Sequence, residues 1–391
     1  MGDMLSAESL MAHVRALADD IGPRPAGTPR EQQAHDYVRR ALAAVGVTEV
    51  ETLPFEAPDT WGYSLIFPAL IGLAGNLLPG RLGRLVGGLL SLYGAYAVRQ
   101  TTGGQRSLLA GLAPTGPSST QIARFPAAAE TRHKLVFLGH VDANKHRLTF
   151  GEPNKYFLRE SGSLGIIVLA LNGVIQLLRA VGPKNALKTD YRLSLLGMAA
   201  ALGLLVADEQ GPWIDGANDN ATAVACLLGL AGYLRQNPLR HTEVWLAFTG
   251  AEESGDLGAH ALLDVYGEQL KDAYFFDFEM VGAGELAYVT RHSGMSGFSG
   301  YQPDPESAAL AAETARRLPE YGVKGVPMTI VEEVGALRGR GCRGICLVGV
   351  GEDGYLVNWH RSSDTSANIV PATLEKAARF GLAFAQTLDE R

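Results

Sequence analysis

The chain has 391 residues, 47% of them apolar and 19% charged, enough to bury one large α/β domain or two of ordinary size and too apolar for a disordered chain. With 34 Lys plus Arg against 41 Asp plus Glu the net charge is −7, and no long basic run is present to track phosphates, so nucleic acid is not an expected partner. Cys226, Cys342 and Cys346 form neither a disulfide framework nor a C-x-x-C pair and read as small core residues. The opening run MGDMLSAESLMAHVRALADDIG lacks a basic segment followed by an apolar one and a small-residue cleavage site, so no secretion signal is expected.

In chain order, residues 7–20 carry Leu10, Met11, Val14 and Leu17 near helical spacing, with Ser6 as the expected N-cap. IGPRPAGTP (21–29) is a Pro/Gly loop; a second helix is expected over 31–45 and a strand over 47–55. From Trp61 the composition becomes apolar: WGYSLIFPALIGLAGNLL and LVGGLLSLYGAYAV flank PGRLGR, the pattern of a helical hairpin. A second such pair, LGIIVLALNGVIQLL and LSLLGMAAALGLLVA, occupies 164–206 around a connector holding Lys184, Lys188, Asp190 and Arg192. Elsewhere apolar strand-like runs (133–142, 242–253, 273–282) alternate with helical ones (220–236, and on to about Leu270). That alternation predicts an α/β fold of three layers, α/β/α, around a largely parallel mixed sheet, whose ligands lie beyond the carboxyl ends of the strands. One catalytic domain over 1–391 is expected, with the apolar hairpins inserted at 59–105 and 160–209.

The chemistry-bearing residues fall at those strand ends. LGHVD brings His140 and Asp142 to one face of an extended segment, where the carboxylate can hold the second ring nitrogen of a ligating imidazole. GANDN sets Asp219 in a turn opening a small-residue helix, where it serves either as a helix cap or as a bridging metal ligand, with Asn218 and Asn220 supporting the loop. FTGAEESG offers adjacent Glu252 and Glu253, costly to bury together without a cation. In FFDFEMVG the period of two puts Asp277 and Glu279 on one face and leaves open which is the ligand; NWHRSSDT supplies His360 and Asp364. Two histidines with several carboxylates suit two zinc ions held by mixed N/O donors.

In this order and spacing, His140-Val-Asp142, Asp219 in GANDN, Glu252-Glu253, Glu279 in FEMVG and His360 with Asp364-Thr365 resemble the dinuclear zinc aminopeptidase family, which includes bacterial leucyl aminopeptidases, aminopeptidase Y and glutamate carboxypeptidase. The loop IGPRPAGTPREQQAHDYV is similar to that family's N-terminal signature, and the likeness covers roughly 8–58, 131–150 and 210–391. The resemblance implies a zinc exopeptidase-like fold and two Zn2+ per chain. One ion would take His140 and Glu279, the other Glu253 and His360, and Asp219 would bridge them. Glu252 would be the general base and Asp142 the supporting carboxylate of the catalytic set. The implied reaction is hydrolysis of a peptide substrate, with release of its N-terminal residue. The sequence departs from the pattern at Glu279, where many members have Asp, and at Trp359, where several have an oxyanion-stabilising Tyr. Oxyanion stabilisation is thereby left to the metal, to Trp359 or to Tyr355.

Two other readings share the fold: a single-zinc glutaminyl cyclase, against which His140 counts, and a non-catalytic scaffold, against which the full ligand set counts. The apolar stretches, about 14 to 18 residues long, are shorter than a usual span. They predict either membrane association through 61–98 and 164–206, with basic connectors at the headgroups, or a lid or homodimer contact in a soluble cytoplasmic protein. A membrane-associated protein with its catalytic domain on the cytoplasmic side is the expectation carried forward.

Overall fold

The computed structural model describes residues 3–183 and 186–391; Lys184, read above as part of a basic connector, lies outside them. Eight strands form one sheet in the order β1-β2-β4-β3-β5-β8-β6-β7. They are β1 (Val50–Ala57), β2 (Gly116–Phe125), β3 (His133–His140), β4 (Thr242–Thr249), β5 (Tyr274–Glu279), β6 (Glu285–His292), β7 (Lys324–Met328) and β8 (Ile345–Val350). The centre, β4-β3-β5-β8, is parallel, and β2 and β6 join it antiparallel, so the sheet is mixed but mostly parallel.

The central strands are buried along nearly their whole length because helices cover both faces, which is why they read as unbroken apolar runs. One face packs on α1 (Ala7–Arg15) and α2 (Pro29–Ala44), and on three later helices, α7 (Thr222–Gln236), α9 (Pro305–Arg317) and α11 (Pro371–Asp389). The other packs on α8 (Leu257–Leu270) and α10 (Glu333–Gly339). Ser6 caps α1 as the sequence suggests, its hydroxyl accepting the Ser9 N–H at 3.3 Å. Residues 16–21 then unwind into a wider π-helical turn that ends at Gly22 (φ 79°) and turns the chain into the Pro/Gly loop.

The apolar stretches form four helices: α3 (Gly62–Gly75), α4 (Gly80–Thr101), α5 (Leu158–Val181) and α6 (Lys188–Asp208). Three exceed the apolar runs read from sequence, because polar turns such as Leu158–Ser163 at the start of α5 are helical too; at 24 residues α5 is about 36 Å long. The helices meet through small residues. A Cβ on Gly87 would lie 2.3 Å from the Gly75 carbonyl oxygen, and one on Gly88 would lie 2.9 Å from that of Gly173, so α4 sits close against both α3 and α5. Between them Asn172 accepts from the Ser91 hydroxyl (2.9 Å) and donates to Ser194 (2.9 Å), and Gln176 donates to Asn76 (2.8 Å). This polar clasp ties all four helices together.

Candidate metal centre

The carboxyl ends of the four parallel strands converge on one buried cluster. His140 is the last residue of β3, Glu279 the last of β5, Glu252 and Glu253 follow β4, and His360 lies on the loop after β8. Asp219 comes from the loop before α7. His140 Nε2 is 3.3 Å from one Asp219 oxygen and 3.5 Å from Glu279. His360 Nε2 is 3.2 Å from the other Asp219 oxygen and 3.3 Å from Glu253. Two donor triplets therefore share Asp219: His140–Asp219–Glu279 and Asp219–Glu253–His360, the donor atoms of each lying within 4.8 Å of one another. Glu252 stands beside them, 3.8 Å from His140, in neither triplet.

Asp277, equivalent to Glu279 by spacing, is carried elsewhere. It lies one pleat back inside the sheet, grouped with Glu332 and Cys346, and burial first, then Glu333 and Glu332, pushes its carboxyl well above the usual range. Period two gave the two acids one face; their depth along β5 separates them.

Backbone and side chains around the cluster fix its donors. Asp142 lies 3.4 Å from His140 Nδ1 and accepts the backbone N–H groups of Glu252 (3.2 Å) and Glu253 (3.0 Å), so one carboxylate orients β3's histidine and the β4 turn. That turn is reached through Ala251 in the left-handed region (φ 54°), its N–H held by buried Glu31 at 3.0 Å. Asp364 accepts the N–H groups of Asn218 (2.6 Å) and Asp219 (3.1 Å); Asn220 donates to Glu279 (2.8 Å) and Asn218 accepts from Gly282 (2.8 Å). Both asparagines thus support the loop. Gly216 starts it at φ 60°, where a Cβ would fall 2.5 Å from Ala143.

Three further residues were not singled out from sequence. Arg24, fully buried in the Pro/Gly loop, donates to the carbonyls of Val141 (2.9 Å), Asp215 (2.6 Å) and Gly216 (2.8 Å), stitching the His140 and Asp219 loops together. Asn144 donates to Glu253 and lies 3.1 Å from His360 Nε2. Arg147, also fully buried, pairs with Glu209 (2.6 Å) after α6 and donates to Thr60 (2.8 Å) before α3, and its own N–H reaches the His360 carbonyl at 3.0 Å. It couples the helix bases to the cluster. The nearness of Asn144 and Arg147 to the LGHVD motif was the only available signal.

The electrostatics call for cations. Against burial, which opposes an imidazolium, Glu252, Asp142, Asp219 and Glu279 hold His140 well above its ordinary pKa, and Glu253 with Asp219 raises His360 to about 9. Burial lifts Glu279 to about 8 and Glu252 well above the carboxylate range. Left to its own side chains the cluster must hold protons. His140 Nε2, Asp219 Oδ2 and Glu253 Oε1 make no hydrogen bond although all are buried. Orphaned donors converging from imidazoles and carboxylates fit divalent zinc, which removes both costs at once.

A cavity opens over the cluster. Asp219, Glu252, Glu253, Glu279 and His360 line its floor, with Asp256 and Trp359 beside them, and among the described residues no Lys or Arg lines it. Tyr355 packs edge-on against Tyr156 and does not line it.

The sequence pattern of peptidase family M28 matches residues 204–385. No curated protein matches the chain. Among solved structures, a zinc aminopeptidase from Bacillus subtilis superposes with a TM-score of 0.59 at 14% identity, over 98% of this chain and 95% of that one. An aminopeptidase from an Aneurinibacillus strain gives 0.58 at 16%, over 97% and 93%. A glutaminyl cyclase from an Acidobacteriales bacterium gives 0.57 at 14%, over 100% and 95%. At these identities the likeness shows the fold.

Proposed function

The chain belongs to peptidase family M28, and on that premise we propose that it is a zinc-dependent aminopeptidase holding two metal ions. The observation that carries this reading is the pair of donor triplets sharing Asp219. His140 and Glu279 would hold one ion, Glu253 and His360 the other, with Asp219 between them. When bound, the zinc ions supply Lewis acidity toward the scissile carbonyl and the attacking water. Glu252 accepts that water's proton and delivers it to the leaving amine, being beside the donors without belonging to either triplet. Asp142 holds His140 and the Glu252 turn in register. Of Trp359 and Tyr355, it is Trp359 that lines the cavity, and we assign it to the carbonyl oxygen. Asp256, a lining acid that belongs to neither triplet, suits a protonated substrate amine. The cyclase reading needs only one metal and leaves the His140 triplet without a role.

The test is a pair of substrates. With zinc present, leucine p-nitroanilide should be hydrolysed, and its Nα-acetyl derivative at least about a hundredfold more slowly. Equal rates would make the chain an amide hydrolase without amine recognition.

We further propose that α3–α6 are insertions into one catalytic domain and associate with a membrane. α5, with the short turn before it, and α6 are long and apolar enough to cross one, and only 6% of the most apolar window of α6 is buried. Leu82, Leu193 and Leu196 point outward at 73%, 62% and 68% exposure, while Arg81, Lys188 and Arg192 lie at the exposed tips. Full-length protein is expected in the membrane fraction, released by detergent but not by high salt. A monodisperse dimer without detergent would instead assign these helices to a subunit contact.

A further inference from the structure

We infer that the amide substrate of this centre is an amphiphile, and that its long apolar chain lies in the cavity between α3, α4, α5 and α6. This rests on the hydrolase reading above and names its substrate class.

The cavity over the metal-binding cluster, of about 230 Å3, does not stop at the catalytic domain. It continues between the four helices, walled by Leu65 of α3, Val98 of α4, Gly165 and Leu169 of α5, and Met198 and Leu205 of α6. An extended peptide laid along such walls would leave its N–H and C=O groups without partners, at a cost of order 1–3 kcal/mol each, whereas a hydrocarbon chain asks for none. Polar groups midway along the helices are turned away from it: Asn76, Ser91 and Asn172 satisfy one another in the clasp and do not line the cavity, and the polar lining residues of the helices, Thr101, Ser161 and Asp208, lie at their ends. The space thus sorts a molecule by polarity, with an amide and amine at the acidic floor and an alkyl or acyl chain above.

Room for the chain is built into α5. A Cβ on Gly165 would meet nothing within 4 Å, so this wall residue faces open space. The same helix presents Leu164 and Leu171 to the outside at 60% and 53% exposure, so an apolar phase around the helices would deliver such a substrate directly. Anchoring at Trp61 completes the route: its backbone N–H donates to the Glu253 carbonyl at 2.9 Å and Arg147 stacks on its ring at 3.9 Å, so α3 starts at the metal-binding floor.

The experiment uses zinc-loaded full-length protein and two substrate series that keep the free amine. Leucine N-alkylamides of four, eight and twelve carbons put the chain on the leaving group; p-nitroanilides of 2-amino acids with linear side chains of two to twelve carbons put it on the acyl side. Each methylene moved from water into an apolar site is worth up to about fourfold, so kcat/KM is expected to rise at least about a hundredfold along one series, which identifies the side. Gly165→Phe, or Ala201→Phe if the first variant does not fold, should lower the long-to-short ratio at least about tenfold. Short members hydrolysed with both series flat would overturn the inference and leave the hydrolase reading standing. If no member were hydrolysed at full zinc loading, the hydrolase reading would fall, and binding would decide the rest. Quenching of the cavity tryptophans Trp61 and Trp359 by a dibrominated C18 amide, weakened in Gly165→Phe, is expected, and its absence overturns the inference.

Discussion

Glu252→Gln should lower kcat by about a thousandfold while the protein keeps its metal, a loss in the middle of the range for removing a positioned general base. Gln has the size of Glu but cannot accept a proton from water. Glu252 approaches His140 at 3.8 Å yet belongs to neither donor triplet, and its backbone N–H is held by Asp142 in either variant, so the turn should survive. Burial pushes this carboxyl upward, with the neighbouring Glu253 adding to it, while His140 pulls it down. The check is kcat with metal content on the same preparation. Substantial turnover by the variant would move the base to another cavity acid outside the donor triplets, of which Asp256 is the nearest in sequence.

The second large effect is graded metal loss among three acids. Asp219→Ala should lose both zinc ions, since one oxygen faces each histidine at 3.3 and 3.2 Å. Glu279→Ala should lose only the ion shared with His140. Asp277→Ala should keep both and change thermal stability instead, because its oxygens lie in the Glu332–Cys346 group. Metal stoichiometry and thermal unfolding of the three variants give the order directly. Loss of metal from Asp277→Ala with retention in Glu279→Ala would exchange the roles of the two acids.

Much of this site was legible in the sequence because a parallel sheet buried on both faces writes its strands as continuous apolar runs. His140, Glu253 and Glu279 stand where those runs stop. Asp219 was legible for a different reason, a Gly/Asn-rich turn before a helix of small residues. What spacing could not decide was depth. Asp277 and Glu279 share a face by alternation, and only the end of β5 at Glu279 puts one at the cluster and the other in the core. Arg24 and Arg147 could not be read because their partners are distant groups, many of them backbone carbonyls, such as those of Val141, Asp215 and His360. The apolar stretches announced helices but understated their length, since helical hydrogen bonding continues through polar end turns that hydropathy leaves out. The cavity they enclose was invisible for a related reason. It depends on α4 packing against α5, across the two pairs, through Gly88 and Gly173.

The most direct measurement is the zinc content of the purified, unmutated protein, taken alongside its hydrolysis of leucine p-nitroanilide. Two zinc ions per chain, with activity lost on chelation and restored by adding zinc back, is the expected result. One ion per chain, with cyclisation of N-terminal glutamine in place of hydrolysis, would contradict it.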